Sequence, residues 1–401
     1  MKKMIPGILF LVSFSSAVSP AQEFGALPQL STEVVDTFPG GYSVDTADVN
    51  GDGRLDIIGL STNPAAFVWY ENPSWEQHII SEETTENIDF APCDIDHDGR
   101  IDVALQSDFR MNRTESGGLV QWLKCPENPY DRWQFFPVWS EPTSHRIRWA
   151  DFDGDGEMEL VNAPLMGVAA TSPLWDVGVR LFRFSIPENP EQGPWIPHLI
   201  DDTLTVLHGI SIEDWDGDGC DDILTASFEG VYLFLTVNSG GDISWEKTRI
   251  GDGNQSEPSS RGASEIGSGR INGRAHSYIA TIEPWHGNEV VVYTPPSDKG
   301  DLWERNVIET GFNSGHGLVS ADLNNDGTDE IVAGYRGDDG GLYIYRCADL
   351  EGKKWMKSPL DENGITTSDI CTVDIDEDGW LDIIAIGAAS ANIKLYRNRG
   401  L

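Results

Sequence analysis

Six copies of one acidic nine-residue loop constrain this chain more than any other feature. Each has Asp at positions one and five, Asp or Asn at three, Gly at six and Asp or Glu at nine. The copies open at Asp48, Asp94, Asp151, Asp214, Asp322 and Asp374, at intervals of 46, 57, 63, 108 and 52 residues. The 108-residue step is double the usual interval, which predicts a seventh, degenerate unit near Gly267. A repeat of roughly 50 residues signals a propeller or an array, whose units bury their apolar faces against neighbours.

The residues around each loop read alike. An apolar segment leads in (SVDTADV, RIRWADF, GLVSADL), and a short run such as DIIGL, DVALQ or EIVAG follows. Then come an aromatic or β-branched run and a last segment headed by Trp75, Trp133, Trp195, Trp245, Trp303 or Trp355. Four such runs punctuated by Gly, Pro, Asn and Asp make a four-stranded antiparallel blade, with the Trp expected to pack it. The last repeat ends at IKLYRNRGL without an outer strand, and STEVVDTF near the N-terminus fits the gap. Pairing the two ends removes the free sheet edges of an open array. The fold expected is all-β: a seven-bladed β-propeller over residues 22–401.

Residues 1–21 carry two lysines, an apolar core and small residues, the pattern of a secretory signal, so the chain is expected to be secreted. No later stretch is apolar enough to insert in a membrane. The net charge of −39, from 66 acidic and 27 basic residues, excludes nucleic acid, which needs clustered Lys and Arg. The five cysteines show no metal spacing, and Cys93 and Cys371 are expected to be small buried hydrophobes on inner strands. Oligomeric state is not readable.

Hard cations such as Ca²⁺ want six to eight oxygens around a tight turn. The loops offer Asp48, Asn50, Asp52 and Asp56; Asp94, Asp96, Asp98 and Asp102; and Asp151, Asp153, Asp155 and Glu159. The later three offer Asp214, Asp216, Asp218 and Asp222; Asp322, Asn324, Asp326 and Glu330; and Asp374, Asp376, Asp378 and Asp382. Gly at position six lets the backbone turn. An EF-hand would need flanking helices and Glu at position twelve, whereas β runs flank these loops. Up to six structural calcium ions are expected, as staples rather than catalytic centres.

A second pattern comes from counting back six residues from each first loop Asp. His145, His208 and His316 stand there, with Tyr42, Ile88 and Ser368 in the other regular blades. Aligning RGASEIG with HGISIED puts Arg261 there in the degenerate blade. These positions surround the propeller axis at the end opposite the acidic loops. Connections between second and third strands reach the same face and bring Arg110, Glu283, Trp285, His286 and Arg336; Arg146, Asp89 and Asp369 lie one step past the offset. A lone His is more often structural; three in register point to chemistry. They also leave room for an additional divalent metal in the axial pocket. His78, His97, His198 and His276 receive no role.

The loops resemble the FG-GAP/VCBS repeats of integrin-type propellers. SHRIRWADFDGDGEMELVNAPLMG, IATIEPWHGNEVVVY and GHGLVSADLNNDGTDEIVAGYRG are similar to the propeller of aldos-2-ulose dehydratases. They are more loosely similar to propeller lyases that release rhamnose from glucuronate. The dehydratases carry cupin-like domains after the propeller, so any isomerisation tied to those is expected to be missing here. The resemblance implies β-elimination on a uronate-containing glycan or ketosugar. His145, His208, His316 and His286 would then be base and acid, and Arg110, Arg146, Arg261 and Arg336 would hold the anionic or carbonyl part. Trp285 would stack on a sugar ring, with Glu283, Asp89 and Asp369 beside it. Two alternatives stay open: a non-catalytic calcium-stapled propeller that binds glycan or protein, and a glycoside hydrolase using His or a pair such as Glu283 and Asp369.

Overall fold

The computed structural model describes residues 25–298 and 300–401, so the export signal read at 1–21 lies outside the described residues. Seven four-stranded antiparallel sheets follow one another, with one small extra hairpin, Asn254–Glu257 with Ser260–Gly262. The sheets are the blades of a propeller, numbered one to seven from Gly41. Their inner strands are Gly41–Ala47, Asp89–Cys93, Ser144–Ala150, Gly209–Glu213, Ile266–Ile271, Gly315–Ala321 and Thr367–Val373. The degenerate unit expected near Gly267 is the fifth of these. Leu30–Thr37 pairs antiparallel with Asn392–Asn398, Leu30 opposite Asn398, as the outer strand of blade seven.

The core is spread through the ring rather than held at its centre. Second strands such as Asp56–Ser61, Asp102–Ser107 and Asp382–Gly387 are buried at every residue, because blades cover both their faces. Hence they read as unbroken apolar runs. Leu60, Phe67 and Trp69 of blade one pack with Phe90, Leu105 and Leu123 of blade two. A comparable cluster fills each other interface, including Tyr70 and Ile57 of blade one against Ile384 and Leu395 of blade seven. The tryptophans heading outer strands sit in these seams: Trp133 in the seam with blade one, Trp195 in that with blade two, Trp355 in that with blade five. Outer strands are half-exposed, as in Glu76–Ser81.

Each acidic loop joins an inner strand to the second strand of its blade. The first Asp accepts two backbone N–H groups, as when Asp52 N (3.0 Å) and Gly53 N (2.9 Å) donate to Asp48. The position-six glycines all have positive φ, from 83° at Gly327 to 91° at Gly219, a region costly for any side chain. Position nine does more than was expected of a ligand. Asp56 accepts from Val49 N (3.1 Å) and Asn72 N (2.8 Å), tying its loop to the third strand, and Asp102, Asp222 and Asp382 do likewise. All five cysteines are unpaired, and Cys93 and Cys371 are half-buried rather than fully buried.

Candidate functional site

Inner strands start at the narrow radius of the ring, so their leading side chains meet on the axis. His145, His208 and His316 are 1 % or less exposed there. His286 arrives from the connection between Arg274–Glu283 and Glu289–Thr294, in a left-handed conformation with φ 51°. The rings of His145 and His208 are 4.7 Å apart, His208 and His286 4.6 Å, and His286 and His316 5.1 Å. His208 Nε2 and His286 Nε2 approach to 2.8 Å. The Tyr42 hydroxyl lies 3.0 Å from His145 Nε2 and 3.2 Å from His316 Nε2. His316 Nδ1 donates to the Ser368 carbonyl, so the neutral ring presents a free Nε2 lone pair to Tyr42.

Charge in the cluster is uneven. Burial, then the Arg146 guanidinium, holds His145 and His208 well below the usual histidine range, and Arg336 adds to the depression of both. His286 and His316 are depressed likewise, by burial first. All four imidazoles are therefore neutral near pH 7. Burial pushes the Tyr42 phenol up, and Arg146 opposes that. Burial opposes the charge on Arg146, but Glu265, Tyr42, Asp89 and Asp369 together outweigh it and the guanidinium stays protonated. Arg146 Nη2 donates to Glu265 Oε1 at 3.2 Å. Arg336, by contrast, has no carboxylate within ion-pair distance among the described residues, yet its field reaches all four histidines.

One step deeper runs a second polar layer. Ser43 Oγ lies 2.9 Å from Asp89 and 3.1 Å from Asp369, and Arg148 donates to Asp89 at 2.8 Å. Burial pushes Asp45 and Asp369 up to about 6. In blade four this layer holds Gly209, where a Cβ would come within 2.2 Å of the Ser264 carbonyl.

Several expectations need correction. Arg261 is not on the axis: Ser264 N bonds the Ile282 carbonyl as His208 N bonds that of Ala226, so Ser264 holds the register and Glu265 follows it. Arg261 instead stacks over Phe228 and lies 3.7 Å from Glu229. Glu283 is held by Thr281, Tyr293 and Arg305, partners unrelated to Asp369, so the two carboxylates do not pair. Trp285 stacks on His286 at 4.7 Å and supports that ring. Asp89 and Asp369 are brought together, but by internal partners. Arg110 sits on the exposed rim, paired with Glu86. Three site residues were missed: Tyr42, visible in register but not as chemistry, and Glu265 and Arg148, polar residues in lead-in segments that are otherwise mostly apolar.

The cation question has two parts. Donor atoms of Asp94, Asp96 and Asp102; of Asp151, Asp153 and Asp155; of Asp214, Asp216 and Asp218; and of Asp374, Asp376 and Asp382 lie within 4.8 Å of one another. Those all-oxygen sets suit a hard cation, and in the remaining two loops Asn50 and Asn324 stand at position three. His208, His286 and His316 meet the same 4.8 Å limit with nitrogen donors, which suits a transition metal.

Comparison with known proteins agrees with this architecture. Residues 117–296 match the β-propeller domain of aldos-2-ulose dehydratase, and 48–105 and 322–385 match FG-GAP-like repeats. Aldos-2-ulose dehydratase of Phanerodontia chrysosporium is 25% identical over 370 residues, 84% of this chain. The chain spans 39% of the length of that curated relative. The crystal structure of BBS1N in complex with ARL6DN, soaked with mercury, superposes with TM-score 0.53 at 10% identity, over 93% of this chain and 97% of that one. The same complex soaked with lead gives 0.54 at the same identity and coverage. These two structures share the fold. The chain is a seven-bladed propeller with FG-GAP-like repeats, similar to the propeller of aldos-2-ulose dehydratase.

Proposed function

We propose that the chain is an exported carbon–oxygen lyase that acts on a carbohydrate by β-elimination. The observation that carries this is the axial cluster of four neutral imidazoles beside Arg336, a guanidinium with no carboxylate partner among the described residues. A neutral imidazole can take a proton at pH 7, and an unpaired guanidinium can hold a carbonyl or carboxylate oxygen as its charge grows. Similarity to a dehydratase supports the same reaction class.

In this reading the substrate's carbonyl or carboxylate lies against Arg336. His145 removes the proton from the adjacent carbon, the C–H electron pair becomes the new double bond, and the β-oxygen leaves. Tyr42, 3.0 Å from His145 Nε2, donates the proton that the departing oxygen needs. His208, His286 and His316 would hold a divalent metal, which when bound would polarise the substrate oxygen. Calcium in the acidic loops would staple the blades.

Mass spectrometry of products from uronate glycans and 1,5-anhydrofructose-type ketosugars tests the reaction class. Elimination leaves an unsaturated sugar, whereas hydrolysis adds water and leaves a saturated one. Saturated products alone would replace this reading with a glycoside hydrolase. Tight binding without turnover would make the chain a binding propeller.

A further inference from the structure

Blade five is the one blade without an acidic loop, and it supplies the only carboxylate in contact with the histidine cluster among the described residues. Glu265 Oε1 lies 3.2 Å from Arg146 Nη2, 3.0 Å from His208 Nδ1 and 4.0 Å from His316 Nδ1. One oxygen thus meets three members of the site. The approach to His208 is a close charge contact rather than a linear hydrogen bond, and the Ser264 backbone is a second hydrogen-bonding neighbour of the same ring.

We propose that Glu265 is the positioning residue of this site, fixing the tautomer of His208 and the place of Arg146. A carboxylate paired with a guanidinium only accepts hydrogen bonds. A proton on His208 therefore belongs on Nδ1, facing Glu265, and the Nε2 lone pair turns towards His286. The opposite tautomer would set an Nδ1 lone pair against the carboxylate oxygen, two acceptors in a buried site where the repulsion is little screened. The same oxygen holds Arg146, whose guanidinium lies 5.8 Å from the Tyr42 ring centroid, beneath the proton-transfer groups. His316 reaches the same state by another route, through the Ser368 carbonyl. Two of the three clustered Nε2 donors thus have their lone pairs aimed by acceptors on the far side of the ring, as supporting groups do for histidines that bind or catalyse.

The turnover arm rests on the lyase reading, but the tautomer arm does not. Ring ¹⁵N shifts of histidine-labelled protein are recorded for wild type, Glu265→Gln and Glu265→Ala. Wild-type His208 is expected as the Nδ1–H tautomer. In Glu265→Gln the side-chain amide can donate to Nδ1, and His208 should shift towards Nε2–H. Turnover in that variant should fall about tenfold or more, mainly in kcat. An Nε2–H tautomer for wild-type His208 overturns the proposal without any variant. So does a His208 spectrum unchanged in a folded Glu265→Gln. A shifted tautomer in a chain that eliminates no sugar leaves the positioning role standing and removes the lyase reading.

Discussion

The two ends of the propeller axis are built on opposite plans. At the loop end, one motif is repeated six times, each copy complete within its own blade, and the Asp214 loop's first three carboxylates are exposed. At the mouth, Tyr42, His145, His208, His286 and His316 come one from each of five blades and are largely withdrawn from water. Losing one loop removes one of six similar contributions. Losing one mouth residue removes a part with no duplicate. Repetition suits stability, where small contributions add, and convergence suits chemistry, where groups act as a unit.

The largest expected effect separates the two ends by activity. His145→Ala should cut turnover by about 10²–10⁴-fold, the usual range for a general acid or base. Asp214→Asn, a change to one loop, should leave turnover within about twofold, judged by initial rates on the same sugar. Comparable losses in both would break the distinction.

Chelation should act the other way. With dissociation constants of about 10⁻⁴–10⁻³ M, millimolar calcium stabilises each loop by about 0.4–1.4 kcal/mol. Removing it, with a transition metal returned to the histidines, should lower the melting temperature by several degrees and spare turnover well below the transition. A thermal scan unchanged by chelator would show that the loops do not act as calcium staples.

A pH series sharpens the contrast within the axis itself. The four histidines are depressed in the fold, so their contribution to stability is present above about pH 6.5 and lost as pH falls below it. Asp369, pushed up to about 6, has the opposite sign: its contribution is present below about pH 4 and lost as pH rises through 6. Asp369→Asn resembles the protonated acid, so its stability relative to wild type should climb between pH 4 and 6. Urea midpoints that stay parallel across that range would contradict the assignment.

The smallest effect concerns the corrected residue. Arg261→Ala should leave turnover within about twofold, while Arg336→Ala should raise KM about tenfold. Equal effects would return Arg261 to the site.

Periodicity explains what was legible. The loops, the four runs of each blade and the closing strand share one spacing, and that spacing also placed His145, His208 and His316 on the axis. It failed in blade five, where no acidic loop marks the register, so the alignment slid by three residues and chose Arg261 over Ser264 and Glu265. It also says nothing about which way a connection folds. Glu283 and Trp285 were placed on the right face, yet one is locked against Arg305 and the other lies flat on His286. Position nine of each loop looked like a ligand because acidity alone does not reveal that Asp56 also braces the third strand.

The central claim is that chemistry resides at the mouth and stability at the loops. Its most direct test follows ultraviolet absorbance of wild type and His145→Ala on the same panel of uronate glycans and ketosugars, with calcium and then after chelation and return of Zn²⁺ without calcium, below the melting transition. The account predicts a growing conjugated product from wild type in both conditions and almost none from the variant. Equal product from the variant, or product from wild type only while calcium is bound and the fold intact in both conditions, would contradict it.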